Sequence, residues 1–277
     1  MPEIDRLVVR FSSLGDVVLA GAVTTAFGDR TGFLTLPRYA ELAGRLNGVT
    51  RVYTPGEALP PVPVFDLHNS LRSRRLTLGM QVRRVERQDI RRRLHVAFKA
   101  GPADRVVDRY ARTARVPPAP APWLLPAERG DVLLLAPGAA HATKRWPYWR
   151  ALASAWSGPV RALGGPGDEA AVASIGGVCE RGFGQTLDAM NGGCVLVAGD
   201  TGLLHLGAAL GLPVVGIFGP TTSADGFWCH AGQVVEAPLS CRPCSRFGGA
   251  VCPVGDHACM RDLSIDHVIA AIHRALA

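Results

Sequence analysis

The segment from residue 198 to residue 221 carries residue types suited to binding an anionic ligand. An apolar run ends in Asp200-Thr201-Gly202, and after a helical stretch a second apolar run ends in Phe218-Gly219-Pro220-Thr221. A helix start presents unpaired amides and the positive end of the helix dipole, so the amides of Thr201 and Gly202 could bind a phosphate. His205 follows Thr201 by one turn, on the same face. A lone histidine in an apolar helix is more often a core residue, but its place beside this turn favours a role in binding.

Two further turns carry groups suited to a nucleotide. Lys144 lies in a loop before Pro147, which is expected to open a helix, so the ammonium and the helix dipole would both attract a diphosphate. Asp168 follows the glycine-rich turn 164–167, and its carboxylate could accept hydrogen bonds from ribose hydroxyls. Each has a plain alternative: a solvated basic loop for Lys144 and a helix cap for Asp168.

A third loop, Arg10-Phe11-Ser12-Ser13-Leu14-Gly15-Asp16, joins the first predicted strand to the first predicted helix. Its small polar residues would let backbone amides approach an anion. Asp16 would lie at the carboxyl end of the sheet, where a base could meet a substrate hydroxyl. The alternative is that Ser13 or Asp16 caps the helix.

The elements around these loops alternate short apolar runs with amphipathic stretches, which predicts βαβ units and parallel sheets. Five prolines lie between Val116 and Gly130, and such density excludes regular structure and makes a stiff connector. We therefore predict an α/β protein with two Rossmann-like domains, residues 1–121 and 122–277. Ligands are expected beyond the carboxyl ends of the strands and in the cleft between the two domains.

The net charge of +7 and the pI of about 9.4 indicate an anionic partner or a general use of Arg for solubility. A nucleic-acid binder would fit the charge, but no zinc-finger, RNA-recognition or helix-turn-helix pattern is present. No apolar run is long enough to cross a bilayer, and the first residues lack the layout of a signal peptide. We expect a cytoplasmic protein that does not bind nucleic acid.

Taken together, these segments resemble glycosyltransferase family 9, the ADP-heptose:lipopolysaccharide heptosyltransferases. The likeness extends along most of the chain in the same order. The stretches that carry it are Arg10 to Asp16, Val106 to Tyr110, Lys144-Arg145-Trp146-Pro147, Asp200-Thr201-Gly202-Leu203-Leu204-His205, Phe218-Gly219-Pro220-Thr221, and the tail from Cys241 to Met260.

The resemblance implies a GT-B fold and an inverting transfer that requires no cofactor. It implies a nucleotide-diphosphate sugar, with ADP-heptose as donor, and a lipopolysaccharide core or related anionic glycolipid as acceptor. Asp16 would be the general base. The residues assigned to the donor are Ser13, Lys144, Asp168, Asp200, Thr201, Gly202 and His205.

The acceptor side is expected near a strand end in the first domain, within Asp66-Leu67-His68-Asn69-Ser70-Leu71-Arg72. Asn69 and Arg72 are assigned to acceptor binding, Arg72 first because it is close to the strand end. Further Arg residues follow between residues 74 and 93, and guanidinium groups suit the carboxylates and phosphates of a core oligosaccharide. Most of these Arg residues are expected to contact water.

Three other functions stay open. The chain could be another GT-B enzyme such as a nucleotide-sugar epimerase, a degenerate member that binds sugar nucleotide without transfer, or a non-enzymatic nucleic-acid binder. A lipid-anchored acceptor would bring the enzyme to the inner face of the inner membrane as a peripheral protein. Because no amphipathic anchor helix stands out, that contact is expected to be electrostatic and reversed by salt.

Four of the seven cysteines follow the pattern Cys241-x2-Cys244-x7-Cys252-x6-Cys259. Four thiolates suit a structural zinc ion or, less well, an iron–sulfur cluster. The second CxxC of a zinc ribbon is missing, and reduced thiols or disulfides formed on purification are the alternatives.

Overall fold

Two separate parallel sheets organise the computed structural model, which describes residues 4–99, 101, 104–177, 179, 182–228 and 230–277. The first unit holds the described residues of Met1–Arg87 and Asp104–Pro126, and the second holds those of Gln88–Ala103 and Ala127–Ala277. The alternation of strands and helices therefore predicted the α/β class correctly. The division after Pro126 lies further along the proline-rich connector than the expected boundary after residue 121.

The sheet of the first unit has five parallel strands in the order β3-β2-β1-β4-β5. These strands are β1 (Arg6–Val9), β2 (Thr31–Leu34), β3 (Val49–Tyr53), β4 (Val64–Asp66) and β5 (Val82–Arg84). Leu7, Val8 and Val9 have no exposed surface, so both faces of β1 are covered, as in other parallel sheets.

Helices of the first unit include α1 (Leu14–Leu19), α2 (Gly21–Phe27), α3 (Ala40–Arg45) and α4 (Leu71–Leu76). The sequence predicts one helix over residues 17–27, but the structure divides it at Ala20. Gly21 lies against Trp123 of the connector, and a Cβ at Gly21 would fall 2.7 Å from the Trp123 Cβ. A glycine is therefore needed at the start of α2 for the connector to pack there.

The chain makes an excursion between residues 88 and 103. This segment contains α5 (Asp89–Phe98) and belongs to the second unit, whereas the chain returns to the first unit with α6 (Val106–Ala114). The fully buried Tyr110 of α6 lies in the first unit. From sequence alone this whole Arg-rich region is expected in the first domain, since its composition does not change where the chain crosses.

The second sheet also has five parallel strands, in the order β10-β9-β8-β6-β7. They are β6 (Arg129–Ala136), β7 (Val160–Ala162), β8 (Gly193–Gly199), β9 (Val214–Phe218) and β10 (Gln233–Glu236). Every residue of β8 and β9 is buried, which places these continuous apolar runs at the centre of the unit.

Besides α5, the second unit contains six α-helices in its described residues. They are α7 (Trp149–Ala155), α8 (Glu169–Ala173), α9 (Phe183–Met190), α10 (Gly202–Ala209), α11 (Ala258–Arg261) and α12 (Ile265–Leu276). Ser264 caps α12, because its side chain accepts a hydrogen bond from the His267 amide. None of the helices in the described ranges is both long and apolar enough to cross a membrane.

Each sheet has a topological switch point, where successive strands are added first on one side of a central strand and then on its other side. In the first, β2 lies on one side of β1 and β4 on the other; in the second, β7 and β8 flank β6 in the same way. The loops that leave the two central strands at such a point separate and form a crevice at the carboxyl edge. This topology positions the candidate site residues.

Candidate functional site

The loop after β1 surrounds Asp16, in the first turn of α1, with hydrogen-bond donors. The Ser13 amide and hydroxyl donate to Asp16 Oδ2 at 3.1 and 2.9 Å, and Arg10 Nη2 lies 2.7 Å from the same oxygen. The Tyr110 hydroxyl donates to Asp16 Oδ1 at 3.1 Å. Ser13 occupies the N-cap position, so the capping alternative is present in the geometry, together with an ion pair that capping does not require.

The charge of Asp16 is set by these neighbours. Burial acts to raise the pKa of Asp16, but the Arg10 guanidinium and the hydrogen bonds from Ser13 outweigh it and hold that pKa below its ordinary value. Burial raises the pKa of the Tyr110 hydroxyl, so this group stays protonated and donates. Asp16 is therefore a carboxylate at neutral pH, the state in which a carboxyl group can accept a proton.

The loop after β4 is organised by the fully buried Asp66. Its Oδ1 accepts from the Asn69 amide at 2.8 Å, and its Oδ2 accepts from the Ser73 hydroxyl at 2.8 Å. The Asn69 side chain donates to the Val85 carbonyl at 2.8 Å and accepts from Arg74 Nη2 at 3.0 Å. Asn69 also has a φ of 47°. Its side chain is therefore used to fold the loop in which acceptor binding was expected.

Arg72 lies on the outside of the same loop. Its side chain is exposed, and its guanidinium carbon is 5.5 Å from the ring centroid of Phe11. Arg10 Nη1 donates to the Leu67 carbonyl at 2.6 Å, which joins the loops after β1 and β4. The structure thus gathers at one sheet edge the site residues predicted for the first domain, which are Ser13, Asp16, Asn69 and Arg72.

In the second unit, Lys144, Asp200 and Thr221 meet at the carboxyl edge. Lys144 Nζ is 2.6 Å from Asp200 Oδ2 and 3.2 Å from the Asp200 carbonyl oxygen. The Thr221 hydroxyl donates to the same Oδ2 at 2.8 Å. These residues follow β6, β8 and β9, so the ion pair bridges the β6–β8 switch point. Lys144 and Asp200 side chains are 12% and 13% exposed.

The Asp200 carboxylate stays charged in this position. Burial acts to raise the pKa of Asp200, but the charge of Lys144 and the hydrogen bonds from Lys144 and Thr221 outweigh it and lower the pKa. The cation is thereby fixed beside the start of α10. An anionic ligand at this edge would meet a positioned ammonium group and the positive end of a helix dipole.

Thr201 stands at the N-cap of α10 with extended backbone angles, φ −137° and ψ 170°. Its hydroxyl oxygen is buried and has no hydrogen-bond partner among the described residues. Gly202 is the first residue of the helix, and the first-turn amides of a helix have no partners within it. A hydroxyl group and backbone amides are thus placed together beside the Lys144–Asp200 pair.

His205 lies one turn into α10, as predicted from its spacing, and is 4% exposed. Its Nδ1 is 2.7 Å from His230 Nε2, and its ring centroid is 6.4 Å from that of Phe227. Burial and the neighbouring His205 lower the pKa of His230 to about 3, so His230 is neutral at physiological pH. The surroundings of His205 agree with the alternative of a buried histidine that has a hydrogen-bonding partner.

Asp168 follows the glycine-rich turn after β7. Its Oδ2 accepts from the Gly165 amide at 3.2 Å, and its side chain makes no capping hydrogen bond to α8. A Cβ at Gly138 would fall 2.1 Å from Asp168 Cγ, so the carboxylate occupies the space above Gly138 at the end of β6. The side chain therefore reaches from one loop of the carboxyl edge to the next, with Gly138 making room for it.

Sequence reasoning missed the groups that hold these loops. Arg242 is 9% exposed, and its Nη2 donates to the Thr221 carbonyl at 2.9 Å and to Glu236 Oε2 at 2.9 Å. The Thr143 hydroxyl accepts from the Gly249 amide at 2.8 Å, directly before Lys144. Arg242 stands between two cysteines of the metal-like pattern, and no local spacing marks it as a support of the site.

The four C-terminal cysteines are thiols in the structure. Burial and the neighbouring thiols raise the pKa of Cys244, and burial raises the pKa of Cys259 to about 11. In the part of the chain that the structure describes, no three or more His, Cys, Asp or Glu side chains are grouped to hold a metal ion. Zinc at Cys241, Cys244, Cys252 and Cys259 stays a prediction, tested by metal analysis of protein purified without chelator.

The chain is similar in sequence to a known protein family and to one of its characterised members. The model of glycosyltransferase family 9 (heptosyltransferase) matches residues 107–247. Lipooligosaccharide heptosyltransferase 2 of Campylobacter jejuni is 34% identical over 77 residues, which cover 27% of this chain and 23% of that protein. The alignment thus spans less than a quarter of that relative.

Solved structures resemble this chain over almost its whole length. A family 9 glycosyltransferase from Veillonella parvula matches with a TM-score of 0.73 and 16% identity, covering 99% of this chain and 97% of that one. The E. coli heptosyltransferase WaaC with ADP matches with a TM-score of 0.68 and 19% identity, covering 98% of this chain and 99% of that one. These likenesses confirm the expected GT-B fold.

Proposed function

The chain belongs to glycosyltransferase family 9, and from this premise we propose that it is an inverting glycosyltransferase. Its donor in this proposal is a nucleotide-diphosphate sugar, ADP-heptose, and its acceptor is a lipopolysaccharide core or a related glycan. The proposal draws on the family, on the heptosyltransferase that shares a short aligned segment, and on a structural neighbour that holds ADP. The arrangement around Lys144 supports the donor half.

One observation carries the donor assignment. A cation, a helix start and the Thr201 hydroxyl, which has no hydrogen-bond partner among the described residues, converge at the switch point of the second sheet. In the proposed complex, the diphosphate accepts from Lys144, Thr201 and the first-turn amides of α10. The same groups would stabilise the negative charge that develops on the leaving diphosphate. Asp168, above Gly138, is proposed to accept from the ribose hydroxyls.

The proposed reaction uses Asp16 as the general base. The acceptor hydroxyl oxygen attacks the anomeric carbon of the donor while its proton passes to the Asp16 carboxylate. The bond from that carbon to the diphosphate oxygen breaks, and its electron pair leaves with ADP. Attack from the face opposite the leaving group inverts the anomeric configuration. Arg10 and Ser13 keep the carboxylate charged and oriented before the transfer.

The acceptor half is proposed for the loop after β4. Arg72 presents an exposed guanidinium there, which suits a phosphate or carboxylate of the acceptor glycan. The Asn69 side chain is committed to the loop itself, so we propose that Asn69 supports the acceptor site through the conformation of the loop.

A thermal-shift experiment with ADP, UDP, GDP and CMP tests the donor assignment. A ligand at one hundred times its Kd stabilises the folded protein by about 2.7 kcal/mol, so a selective ADP shift is readily measured. ADP and ADP-heptose are expected to raise Tm, and the other three nucleotides are expected to leave it near its starting value.

Other outcomes distinguish the alternatives. A selective shift with UDP, GDP or CMP contradicts ADP-heptose as donor. An ADP shift together with no sugar transfer to any core acceptor would favour a degenerate member. A lack of response to all four nucleotides would contradict the proposed donor site.

A further inference from the structure

Helix α5 has its polar and apolar faces reversed. Its buried side chains include Arg92 and His95, which are 8% and 6% exposed. Ile90, Leu94 and Phe98, spaced at i, i+4 and i+8, are 75%, 47% and 72% exposed. This spacing places the three large apolar side chains along one face. The hydrophobic effect would normally bury such a row against the core.

Polar contacts fix α5 to the second unit through its inner face. Arg92 Nη2 donates to the Arg246 carbonyl at 3.3 Å, and its guanidinium lies 4.9 Å from the ring centroid of Phe227. His95 Nε2 is 3.4 Å from Asp225 Oδ1. Because these polar groups are buried and paired, turning the helix to bury its apolar row against the core would break their contacts. The contacts of the inner face therefore keep the apolar row directed towards solvent.

Both ends of α5 are also tied down. Near its start, Arg246 Nη2 is 2.6 Å from Asp89 Oδ1. At its end, Lys99 Nζ donates to the Cys241 carbonyl at 3.1 Å and to the Pro243 carbonyl. The segment around residues 241–247 therefore supports the whole length of the helix and leaves the outer face in contact with solvent.

Cations flank this outer face. Arg91 and Arg93 are exposed, and the helical repeat places them on opposite sides of the apolar row around the helix axis. Phe247, half-exposed, packs against Arg92 with its ring centroid 5.1 Å from the guanidinium. Apolar side chains bordered by arginines suit the boundary of an anionic bilayer, where the apolar groups reach the acyl region and the guanidinium groups meet lipid phosphates. The net charge of +7 acts in the same direction.

We propose that the outer face of α5, formed by Ile90, Leu94, Phe98, Arg91 and Arg93, docks onto an anionic membrane surface. The proposal rests on the proposed function in one respect, that the acceptor is anchored in that membrane. It changes the expectation from sequence that contact would be purely electrostatic. Three consecutive arginines dominate the composition of the helix, so its sequence alone does not indicate an exposed apolar row.

Vesicle flotation at physiological salt tests this surface. The full chain is incubated with vesicles that contain phosphatidylglycerol and with neutral phosphatidylcholine vesicles. Wild-type protein is expected to float with the anionic vesicles. The triple variant Ile90→Ser/Leu94→Ser/Phe98→Ser is expected to bind them at least about tenfold more weakly, since three apolar anchors are lost. Leu125→Ser, at an 84% exposed leucine of the connector, is the matched control and should float like wild type.

The variant Arg91→Gln/Arg93→Gln separates the two contributions. This double Gln variant should retain weak vesicle binding that changes little between low and high salt. The triple Ser variant should retain only electrostatic binding, which should vanish at high salt. Equal flotation of wild type and the apolar variant would overturn the proposal, and so would a wild type that stays with the buffer. A dimer of the wild type that the apolar variant converts to monomer would assign the surface to a second copy instead.

The inference and the proposed function fail separately. ADP thermal shift and transfer to a soluble, lipid-free core acceptor do not involve α5 and should be the same in wild type and in the apolar variant. If wild-type protein shows the ADP thermal shift and the sugar transfer but does not float with vesicles, only the membrane inference is contradicted. Flotation with no ADP response would leave the docking surface in place and remove the donor assignment.

Discussion

Each unit has an ion pair between an acid and a cation at the switch point of its sheet. The two pairs differ in the loops that supply them and in their other hydrogen-bond partners. Arg10 and Asp16 belong to one loop, 2.7 Å apart, whereas Lys144 and Asp200 belong to loops after two different strands, 2.6 Å apart. Exposure does not separate them, since all four side chains are 12–15% exposed. The difference lies in their other partners.

In the first unit, the donors converge on the acid. Asp16 accepts from Ser13 and Tyr110 in addition to Arg10, so its charge and orientation are controlled from several sides. In the second unit, Asp200 and its carbonyl oxygen converge on the cation and fix Lys144 beside α10. Similar ion pairs can therefore have different roles. Asp16 is the proposed reactive group of the first pair, and Lys144 is the proposed binding group of the second.

The largest effect is expected for Asp16→Asn. An amide cannot accept the acceptor proton, so the transfer rate should fall by about 10² to 10⁴-fold. Turnover of ADP-heptose with a core acceptor measures it, with Asp29→Asn, an exposed acid of the same unit, as control. Transfer at the wild-type rate by Asp16→Asn would exclude Asp16 as the base.

Lys144→Met tests the ion pair of the second unit, in which Asp200 holds the cation in place. The change leaves the Asp200 carboxylate without its cation in a largely buried position, and the free energy of unfolding should fall by about 1–3 kcal/mol. Adding Asp200→Asn should restore part of the loss, because the unpaired charge is removed. Denaturant unfolding measures both, with Arg150→Met, an exposed cation of α7, as control. A double variant less stable by the sum of two single losses would show that the pair is not coupled.

Acid sensitivity should be common to the two pairs. Asp16 and Asp200 both have lowered pKa values in the folded protein, so their contribution to stability is complete above the ordinary Asp value of about 3.9 and is lost as the pH falls through the lowered values. Tm measured from pH 7 to pH 2 should fall less steeply below about pH 4 in Asp16→Asn and in Asp200→Asn than in wild type. Slopes identical to wild type in both variants would contradict the charged state assigned to these carboxylates.

A smaller effect is expected from Gly138→Ala, which acts on the nucleoside side of the second unit alone. The added methyl group would overlap the Asp168 carboxylate and force it to move. If Asp168 binds the ribose, ADP affinity should fall about three- to tenfold, the loss of one hydrogen bond to a charged group. Calorimetric titration with ADP measures the change, and Gly165→Ala, where a Cβ has open space, is the matched control. Unchanged affinity would separate Asp168 from nucleotide binding.

The central strands and the local motifs were predictable from sequence because short-range patterns encode them. The apolar runs of β1, β6, β8 and β9 indicate strands by their length and composition. Strands β3, β5 and β10 give no such signal, since their partly exposed residues do not form continuous apolar runs. The excursion of residues 88–103 into the second unit gives no signal either, because no composition change accompanies it.

The same distinction holds at the site. Ser13 and Asp16 lie three residues apart, so a loop motif could point to both of them. Tyr110, which completes the surroundings of Asp16, lies 94 residues away. Its segment contributes to the family resemblance, but no local pattern in it links Tyr110 to Asp16. Arg242, buried below the Thr221 loop, is likewise defined by tertiary contacts that bring distant carbonyl oxygens around one guanidinium. Such contacts between residues far apart in the chain depend on the topology of the fold, which cannot be read from local sequence patterns.

The division of roles between the two pairs is tested most directly by ADP binding to Asp16→Asn and Lys144→Met, measured side by side with wild type by calorimetric titration. This division of roles predicts that Asp16→Asn binds ADP as tightly as wild type and that Lys144→Met binds at least about tenfold more weakly, since a charge-assisted contact to the diphosphate is lost. Wild-type ADP affinity in Lys144→Met, or an equal loss in both variants, would contradict it.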